Sequence, residues 1–309
     1  MLRNYHTSPV RAIFRNRKSG QFRYGINFLK VLIIYFLFSQ VPSLAAPESV
    51  KWEYWAAHDE NSSIEIKHDD WDLFLAKYLY PREDGINRVV YNNVLFTDRE
   101  MLDKYITSLA TTSVTGLNRN EQLAYWINLY NALTVQLILD AYPVNSIRDI
   151  DISPGFFNDG PWGKKLLTIE GKPVSLDDIE HRILRPLWKD PRIHYAVNCA
   201  ALGCPNLGQH AYTANNVEKY LDYSARKFIN SARAVKLLDG QLILSSIYQW
   251  FIADFGGSDE GVLSHLATFA EPSLAKILAS KPTIKEFVYD WTLNNTTASI
   301  ADRIRKRGS

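Results

Sequence analysis

The sequence predicts an α+β fold, a mostly helical single domain with a small antiparallel sheet. Segments with apolar residues at helical spacing outnumber the strand-like runs. The strand-like runs are short and cluster late in the chain, where Asp239-Gly240 joins the last two with the signature of a tight hairpin. No internal repeat or low-complexity linker divides the chain, so we expect one domain over residues 46–309.

Residues 1–45 have the order of a secretory signal peptide. Seven basic residues precede the apolar run 31–38, and the small residues of Ser43-Leu-Ala45 follow it. The run is far shorter than the roughly 20 residues that span a bilayer. We therefore expect a periplasmic or secreted protein with no stable membrane span after cleavage, and an uncleaved anchor is the alternative.

The charge of the remaining chain argues against nucleic acid as a partner. The whole chain has 35 basic and 33 acidic residues, of which residues 1–45 hold seven basic and no acidic ones. That leaves 28 basic against 33 acidic residues and a formal charge of −5. Such a chain has no general attraction for phosphate backbones, so we expect a small-molecule or cell-envelope substrate instead.

Periodicity and end signals place the secondary structure along the chain. Helices are predicted over residues 68–80, 98–110, 119–141, 175–185, 215–230, 246–254 and 259–279. Strands are predicted over residues 88–91, 166–169, 192–198, 235–238 and 241–245.

The helix predicted over 119–141 is apolar almost all round, which is typical of a central, buried helix. It begins after Asn118, a favourable N-cap residue. Asn128 and Asn131 lie three residues apart on it, and a buried amide must be hydrogen-bonded. Two roles stay open for these amides: anchoring neighbouring backbone, or lining a polar cleft where they bind substrate and stabilise an oxyanion.

The helix predicted over 175–185 begins with a capping-box-like pair, Ser175 and Asp178, and is expected to end before Pro186. Its apolar stripe contains a carboxylate, Glu180.

Burial of Glu180 predicts either a structural ion pair or a general acid or base with a raised pKa. His181 and Arg185 are expected to point away from the stripe.

The segment after this helix holds both cysteines of the chain. In a strand over 192–198, His194 and Asn198 would face the same way, and Cys199 and Cys204 follow directly. This brings a soft nucleophile, a titratable imidazole and an amide into one short stretch.

Four interpretations of the cysteines stay open. The first is a Cys199–Cys204 disulfide, which suits an exported protein. The second is a cysteine nucleophile activated by His194, with Glu180 or an asparagine orienting the imidazole. The third is a metal site built by both cysteines with His181 and His194, although the cysteine spacing is at the edge of the usual range. The fourth is a pair of buried thiols that only pack.

Several motifs of common enzyme classes do not occur in the sequence. It contains no Gly-rich phosphate loop, no Gly-x-Ser-x-Gly and no His-Glu-x-x-His. Phosphoryl transfer, serine-hydrolase and zincin functions are therefore disfavoured, and no cofactor is expected.

Seven blocks of the chain resemble the domain-of-unknown-function family numbered 547. The blocks are 124–135, 142–150, 175–186, 190–199, 203–207, 247–257 and 289–294. They follow one another from about Trp71 to Asn294, so the resemblance covers nearly all of the chain after the leader. One difference is Ala201, where relatives often carry Ser between the cysteines.

The resemblance implies an exported bacterial protein and a set of shared polar residues, but no reaction. In this sequence the shared residues are Asn128, Asn131, Glu180, His181, Arg185, His194, Cys199, Cys204 and Asp254. A looser resemblance links a buried helix followed by a histidine-bearing strand to the transglutaminase/papain architecture. In that architecture a cysteine begins the helix, and no cysteine does so here.

Two functions follow as hypotheses. The first is a Cys/His-dependent hydrolase or acyl transferase acting on an envelope amide or ester. In it, Cys204 or Cys199 attacks, His194 moves the proton, and Glu180 or Asn198 orients the imidazole. The second is a non-catalytic periplasmic binding module with a Cys199–Cys204 disulfide.

Overall fold

The structure is a computed structural model that describes residues 47–154 and 160–296. The predicted signal peptide, residues 1–45, lies outside the described residues. The described part of the chain confirms the predicted α+β class, because helices predominate and the strands form small sheets.

Helices and strands alternate irregularly along the chain. The α-helices are α1 (Asp69–Tyr78), α2 (Phe96–Ala110), α3 (Arg119–Ala141), α4 (Arg185–Trp188), α5 (Val217–Ile229), α6 (Ile247–Trp250), α7 (Asp259–Phe269) and α8 (Pro272–Ala279). The strands are β1 (Leu79–Pro81), β2 (Asn87–Val89), β3 (Leu167–Ile169), β4 (Lys172–Val174), β5 (Val235–Leu238), β6 (Gln241–Ser245) and β7 (Ile284–Val288). In the part of the chain that is described, no helix has both the length and the apolar character needed to cross a membrane.

Three small sheets hold these strands. β1 pairs with β2 and β3 with β4, each as an antiparallel hairpin. β5 and β6 form the predicted hairpin, with Asp239 at φ +51° and Gly240 at φ +78°, as a type I′ turn requires. β7, which the sequence did not predict, adds a parallel strand to β6.

α3 lies at the centre of the larger of two apolar clusters. Its N-cap is the predicted Asn118, whose side chain accepts a hydrogen bond from the Glu121 N–H at 2.9 Å. The smaller cluster is formed by α5, β6 and α7. Nearly every residue of α3 is buried, so its polar side chains need partners inside the protein.

The prediction of a strand over 192–198 is wrong. Residues Pro191–Tyr195 form a 3₁₀-helix. The Asp190 side chain caps it by accepting from the Arg192 N–H at 2.8 Å, and Pro191 fixes φ at its first position. His194 and Asn198 therefore do not share a strand face.

The helix predicted over 175–185 begins as expected but continues further. The Ser175 N–H donates to Asp178 Oδ2 at 2.9 Å, and the Asp178 N–H donates to Ser175 Oγ at 3.2 Å. From Asp178 to Leu184 the backbone is a π-helix, and α4 continues through Pro186. The predicted end before Pro186 is wrong because this proline lies in the first turn of α4, where its missing N–H is tolerated.

Two late helices are shorter than predicted. The segment 259–279 is divided into α7 and α8, because Pro272 begins a new helix after an extended Ala270 and Glu271. The segment 246–254 is helical only within α6 and continues as turns, which position Asp254.

Candidate functional site

Both cysteines lie in one tight loop, and both are free thiols. The Cys199 N–H donates to Cys204 Sγ at 3.1 Å, and the two sulfurs are close enough for each to shift the pKa of the other. Between them Ala200 has φ +59°, a left-handed conformation that is uncommon for a residue other than glycine and that reverses the chain here. Cys199 is half-buried, whereas Cys204 is only 4% exposed.

Two asparagines hold the shape of this loop. The Asn131 side chain donates to the Ala196 carbonyl at 2.9 Å and accepts from the Asn198 N–H at 2.8 Å. The Asn198 side chain donates to the Pro205 carbonyl at 2.6 Å and accepts from the Ala200 N–H at 2.9 Å. Both amides are thus occupied by backbone groups on either side of the cysteines.

Asn128 has a similar role at a neighbouring segment. Its side chain accepts from the Tyr212 N–H at 2.9 Å and donates to the Tyr212 carbonyl at 2.7 Å, with His68 Nε2 3.2 Å away. For Asn128 and Asn131, the geometry therefore favours backbone anchoring over substrate binding or oxyanion stabilisation.

The C-terminal segment covers the other side of the cysteine loop. The Leu202 N–H donates to the Thr292 carbonyl and the Gly203 N–H to the Asp290 carbonyl, each at 2.8 Å. A Cβ on Gly203 would lie 2.7 Å from the Asp290 nitrogen, so this close approach requires glycine. The same segment places the Tyr289 hydroxyl 2.9 Å from Cys199 Sγ.

These contacts give the two sulfurs opposite acidities. Burial alone raises the pKa of Cys204, but hydrogen bonds from the Cys199 thiol and N–H, together with the Arg233 charge, hold it below its usual value. The hydrogen bond to Cys204, followed by burial, raises the pKa of Cys199 well above its usual value. The pair therefore loses its first proton readily and its second with difficulty. The Arg233 guanidinium also donates to the Cys204 carbonyl.

A second cluster holds the predicted charged residues. His194 Nε2 lies 2.7 Å from Asp254 Oδ2, and His194 Nδ1 lies 3.8 Å from Glu180 Oε1. Arg185 Nε donates to the same Asp254 oxygen at 2.6 Å, and its Nη1 lies 3.0 Å from His181 Nδ1. The Phe251 ring stacks on the His194 imidazole, with centroids 4.1 Å apart.

The π-helix explains how three of these side chains come together. Arg185 N–H bonds to the Glu180 carbonyl five residues earlier, so the wide turn rotates Glu180, His181 and Arg185 towards the interior. The expectation that His181 and Arg185 point away from the buried stripe is wrong for this reason.

Burial and charge set the protonation of this cluster. Burial raises the pKa of Glu180 to about 7, against the opposing effects of Arg185 and the Tyr130 hydroxyl. Burial and the Arg185 charge lower the pKa of His181 to about 3, and burial lowers that of His194. Burial alone would raise the pKa of Asp254, but hydrogen bonds from His194 and Arg185 hold it well below its usual value.

The two clusters meet at Tyr130 and Glu180 rather than at His194. The Tyr130 hydroxyl donates to Glu180 Oε2 at 3.0 Å, and the Glu180 charge is close enough to raise the pKa of Cys199. The ring nitrogens of His194 face two carboxylates, and among the described residues neither sulfur hydrogen-bonds to them. The predicted cysteine–histidine dyad is therefore not formed.

The two clusters also differ in what lies beside them. Asp254 and Arg185 line an open cavity of about 670 Å³ that neither cysteine lines. Cys199 instead lies beside half-buried aromatic side chains, since Tyr289 packs against Trp250 and Trp291 with centroids 4.8 Å and 4.6 Å apart.

Sequence reasoning missed several residues of the thiol site. Tyr289 belongs to a block that resembles the family, but nothing in its neighbourhood in sequence connects it with the cysteines. Arg233 and Tyr130 likewise carry no local motif. Within residues 47–154 and 160–296, no three His, Cys, Asp or Glu side chains are grouped so as to hold a metal ion.

Comparison with known proteins finds a family match. Residues 114–229 match the family model described as "Protein of unknown function, DUF547". This part of the chain, less than half of its length, is similar to the DUF547 family. The matched range contains both cysteines, Glu180 and His194, whereas Asp254 and Tyr289 lie C-terminal to it. No curated protein and no solved structure matches the chain, so the likeness to the transglutaminase/papain architecture stays a prediction.

Proposed function

We propose that this protein is an exported, thiol-dependent hydrolase or acyl transferase that acts on an amide or ester of the cell envelope. The observation that carries the proposal is the half-buried Cys199, whose N–H donates to Cys204 Sγ at 3.1 Å, beside a second sulfur of lowered pKa. A nucleophilic cysteine needs both access to substrate and a group that takes its proton.

Cys199 is the proposed nucleophile because Cys204 is almost completely buried. Cys204 lies beside Cys199 and has the lower pKa, so in the proposed step its thiolate takes the Cys199 proton and leaves the thiolate on Cys199. The Tyr289 hydroxyl and the Arg233 guanidinium compensate the negative charge that the two sulfurs share.

The reaction then follows the usual course of acyl transfer. The Cys199 sulfur bonds to the carbonyl carbon, and the bond to the leaving nitrogen or oxygen breaks as that atom takes a proton. Glu180 is the proposed donor, since its pKa of about 7 lets it hold and release a proton at neutral pH. Water or an acceptor amine next attacks the thioester, gives its proton to Glu180 and returns the sulfur to its thiolate form.

His194, Asp254 and Arg185 are proposed to position Glu180 rather than to touch substrate. Their mutual contacts fix the imidazole 3.8 Å from the carboxyl oxygen. Burial keeps the pKa of Glu180 raised, and the Arg185 charge opposes this effect. The leader-like residues 1–45 support the exported location.

Alkylation tests the thiol directly, because Cys199 and Cys204 are the only cysteines of the sequence. The exported protein is treated with iodoacetamide with and without prior reduction, and intact mass is measured. We expect fast labelling of one thiol without reductant. Two unlabelled sulfurs that react only after reduction would overturn the thiol nucleophile.

Acyl trapping tests the roles of the residues. With p-nitrophenyl acetate, we expect a mass increase of one acetyl group in the wild type and in Cys204→Ser, but none in Cys199→Ser. Glu180→Gln should accumulate the acetyl-enzyme, because p-nitrophenolate leaves without an acid whereas deacylation needs a base. An acetyl group retained by Cys199→Ser would contradict the assignment.

The second candidate is a non-catalytic binding module with a Cys199–Cys204 disulfide. The contact between the two sulfurs favours it, since thiols this close pair readily in an oxidising compartment. It predicts that both sulfurs stay unlabelled until the protein is reduced. It also predicts that no acetyl-enzyme forms while the disulfide is intact.

A further inference from the structure

A separate cavity of about 490 Å³ lies between α5, the β1–β2 turn and residues 206–210. Its size falls within the range of small-ligand sites. Neither cysteine, nor any residue of the charged cluster, lines it. The cavity is therefore separate from the proposed thiol site.

One face of α5 lines this cavity. Lys219, Tyr223 and Lys227 lie at positions i, i+4 and i+8, so their side chains follow one another along the helix. The acidic residues of the same helix lie on the adjacent face, where Glu218 and Asp222 pair with Arg192 at 2.8 Å and 2.7 Å. The helix thus separates its acidic and basic side chains.

The opposite wall adds positive charge. Arg82 from the β1–β2 turn and His210 complete the titratable groups, and none of the lining residues is Asp or Glu. In the described ranges, the side chains of Arg82, Lys219 and Lys227 make no ion pair with a carboxylate. Of the acidic side chains nearby, Asp84 pairs with Arg88 at 2.6 Å, and Asp72 lies 3.8 Å from His210 Nδ1.

Aromatic and polar side chains complete the walls. Tyr220 packs edge-on against Tyr212, with centroids 5.8 Å apart, and Tyr212 reaches Ser224 at 3.3 Å. Tyr223 is 53% exposed, and Lys227 Nζ lies over its ring, 5.7 Å from the centroid. Three like charges around apolar ring faces, on a chain whose formal charge after the leader is negative, form a surface complementary to an anion that carries a ring.

We propose that this cavity binds a small organic anion in which a phosphate or carboxylate group is joined to a flat ring. Arg82, Lys219 and Lys227 hold the anionic group, because guanidinium and ammonium donors form strong charge-assisted hydrogen bonds with such oxygens. Tyr220 or Tyr223 packs against the ring.

Calorimetric titration of the full chain with AMP, benzoate and adenosine tests the proposal. We expect AMP or benzoate to bind at least about tenfold more tightly than adenosine, and the better of the two identifies phosphate or carboxylate as the anionic group. Binding should weaken with added salt. Failure of both anions to bind, or equal binding of adenosine, would overturn the proposal.

Variants locate the site. Lys219→Gln with Lys227→Gln should weaken anion binding at least about tenfold, as should Arg82→Gln. Lys285→Gln, an exposed lysine on β7 outside the cavity, should leave it unchanged. Unchanged affinity in both the double variant and Arg82→Gln would show that the ligand binds elsewhere. Iodoacetamide labelling of Cys199 is independent of these outcomes, so the thiol proposal and this one fail separately.

Discussion

The thiol loop and the charged cluster touch at Glu180, yet they satisfy their polar groups in opposite ways. In the charged cluster, Asp254 accepts from His194 and from Arg185, and the imidazole is stacked on Phe251. In the thiol loop, Cys199 is half-buried, and its sulfur lies 2.9 Å from the Tyr289 hydroxyl and close to Cys204. The first arrangement pairs its charged groups with one another, whereas the second gives the sulfurs uncharged hydrogen-bond partners.

A perturbed pKa therefore does not by itself identify a reacting group. His181, with a pKa of about 3, is perturbed because it is buried beside Arg185. Its imidazole is neutral at pH 7 and lies 3.0 Å from the Arg185 guanidinium. The following variants test stability, and all but Glu180→Gln also test thiol reactivity.

Asp254→Ala should have the largest effect. It leaves the buried Arg185 guanidinium without its carboxylate, and we expect a loss of about 3 kcal/mol in the free energy of unfolding. Urea denaturation measures the loss, and the alkylation rate of Cys199 in the folded protein should change less than about twofold. The control Asp222→Ala removes an exposed ion pair and should cost less than about 1 kcal/mol. A large change in alkylation rate would show that the clusters act as one.

Glu180→Gln should stabilise the protein in a pH-dependent way. The folded pKa of Glu180, about 7, lies above its ordinary value of 4.5, so the folded state binds the extra proton between these pH values. Wild-type stability therefore falls as pH rises through this window.

The glutamine variant avoids this loss. At pH 8 we expect it to be more stable than the wild type by about 3 kcal/mol at most, with the difference vanishing below about pH 4.5. Denaturation curves at several pH values measure it. An equal difference at all pH values would contradict a raised folded pKa for Glu180.

Gly203→Ala should lower the free energy of unfolding by about 1–3 kcal/mol, because the new Cβ would lie 2.7 Å from the Asp290 nitrogen. The alkylation rate should change with it, because the loop must move away from the C-terminal segment. Gly116→Ala is the matched control, as its Cβ would meet only the Ser113 hydroxyl at 3.6 Å. Unchanged stability and reactivity in Gly203→Ala would show that this close approach is not needed.

Tyr289→Phe should have the smallest effect on stability and a selective effect on reactivity. Loss of one hydrogen bond to the sulfurs costs about 1 kcal/mol of thiolate stabilisation. This corresponds to an alkylation rate at pH 7 that is lower by about fivefold, with the rate profile shifted to higher pH. Tyr195→Phe, which removes a buried hydroxyl near His265, should leave the profile unchanged. Equal profiles for wild type and Tyr289→Phe would remove Tyr289 from the site.

Local signals accounted for much of the fold. The Asn118 cap and the Asp239-Gly240 turn act within a few residues, so the sequence predicts α3 and the β5–β6 hairpin well. The prediction of a strand over 192–198 was wrong. Its alternating pattern was outweighed by an equally local signal, the Asp190-Pro191 start of a 3₁₀-helix.

The site was less predictable because it depends on distant contacts. Burial of Glu180 followed from its place in an apolar stripe. The burial of His181 and Arg185 did not, because a π-helix changes which residues share a face. Tyr289 reaches Cys199 across 90 residues, and no local pattern reports such a contact.

The C-terminal segment over the cysteine loop has a consequence for biosynthesis. Residues 290–292 supply backbone partners to the loop, and Tyr289 supplies the hydroxyl beside the Cys199 sulfur. The ribosome adds these residues well after the cysteines, so a nascent chain carries both thiols before their partners have been made. A chain that stops before residue 289 would lack the contacts that set the acidity of the sulfurs.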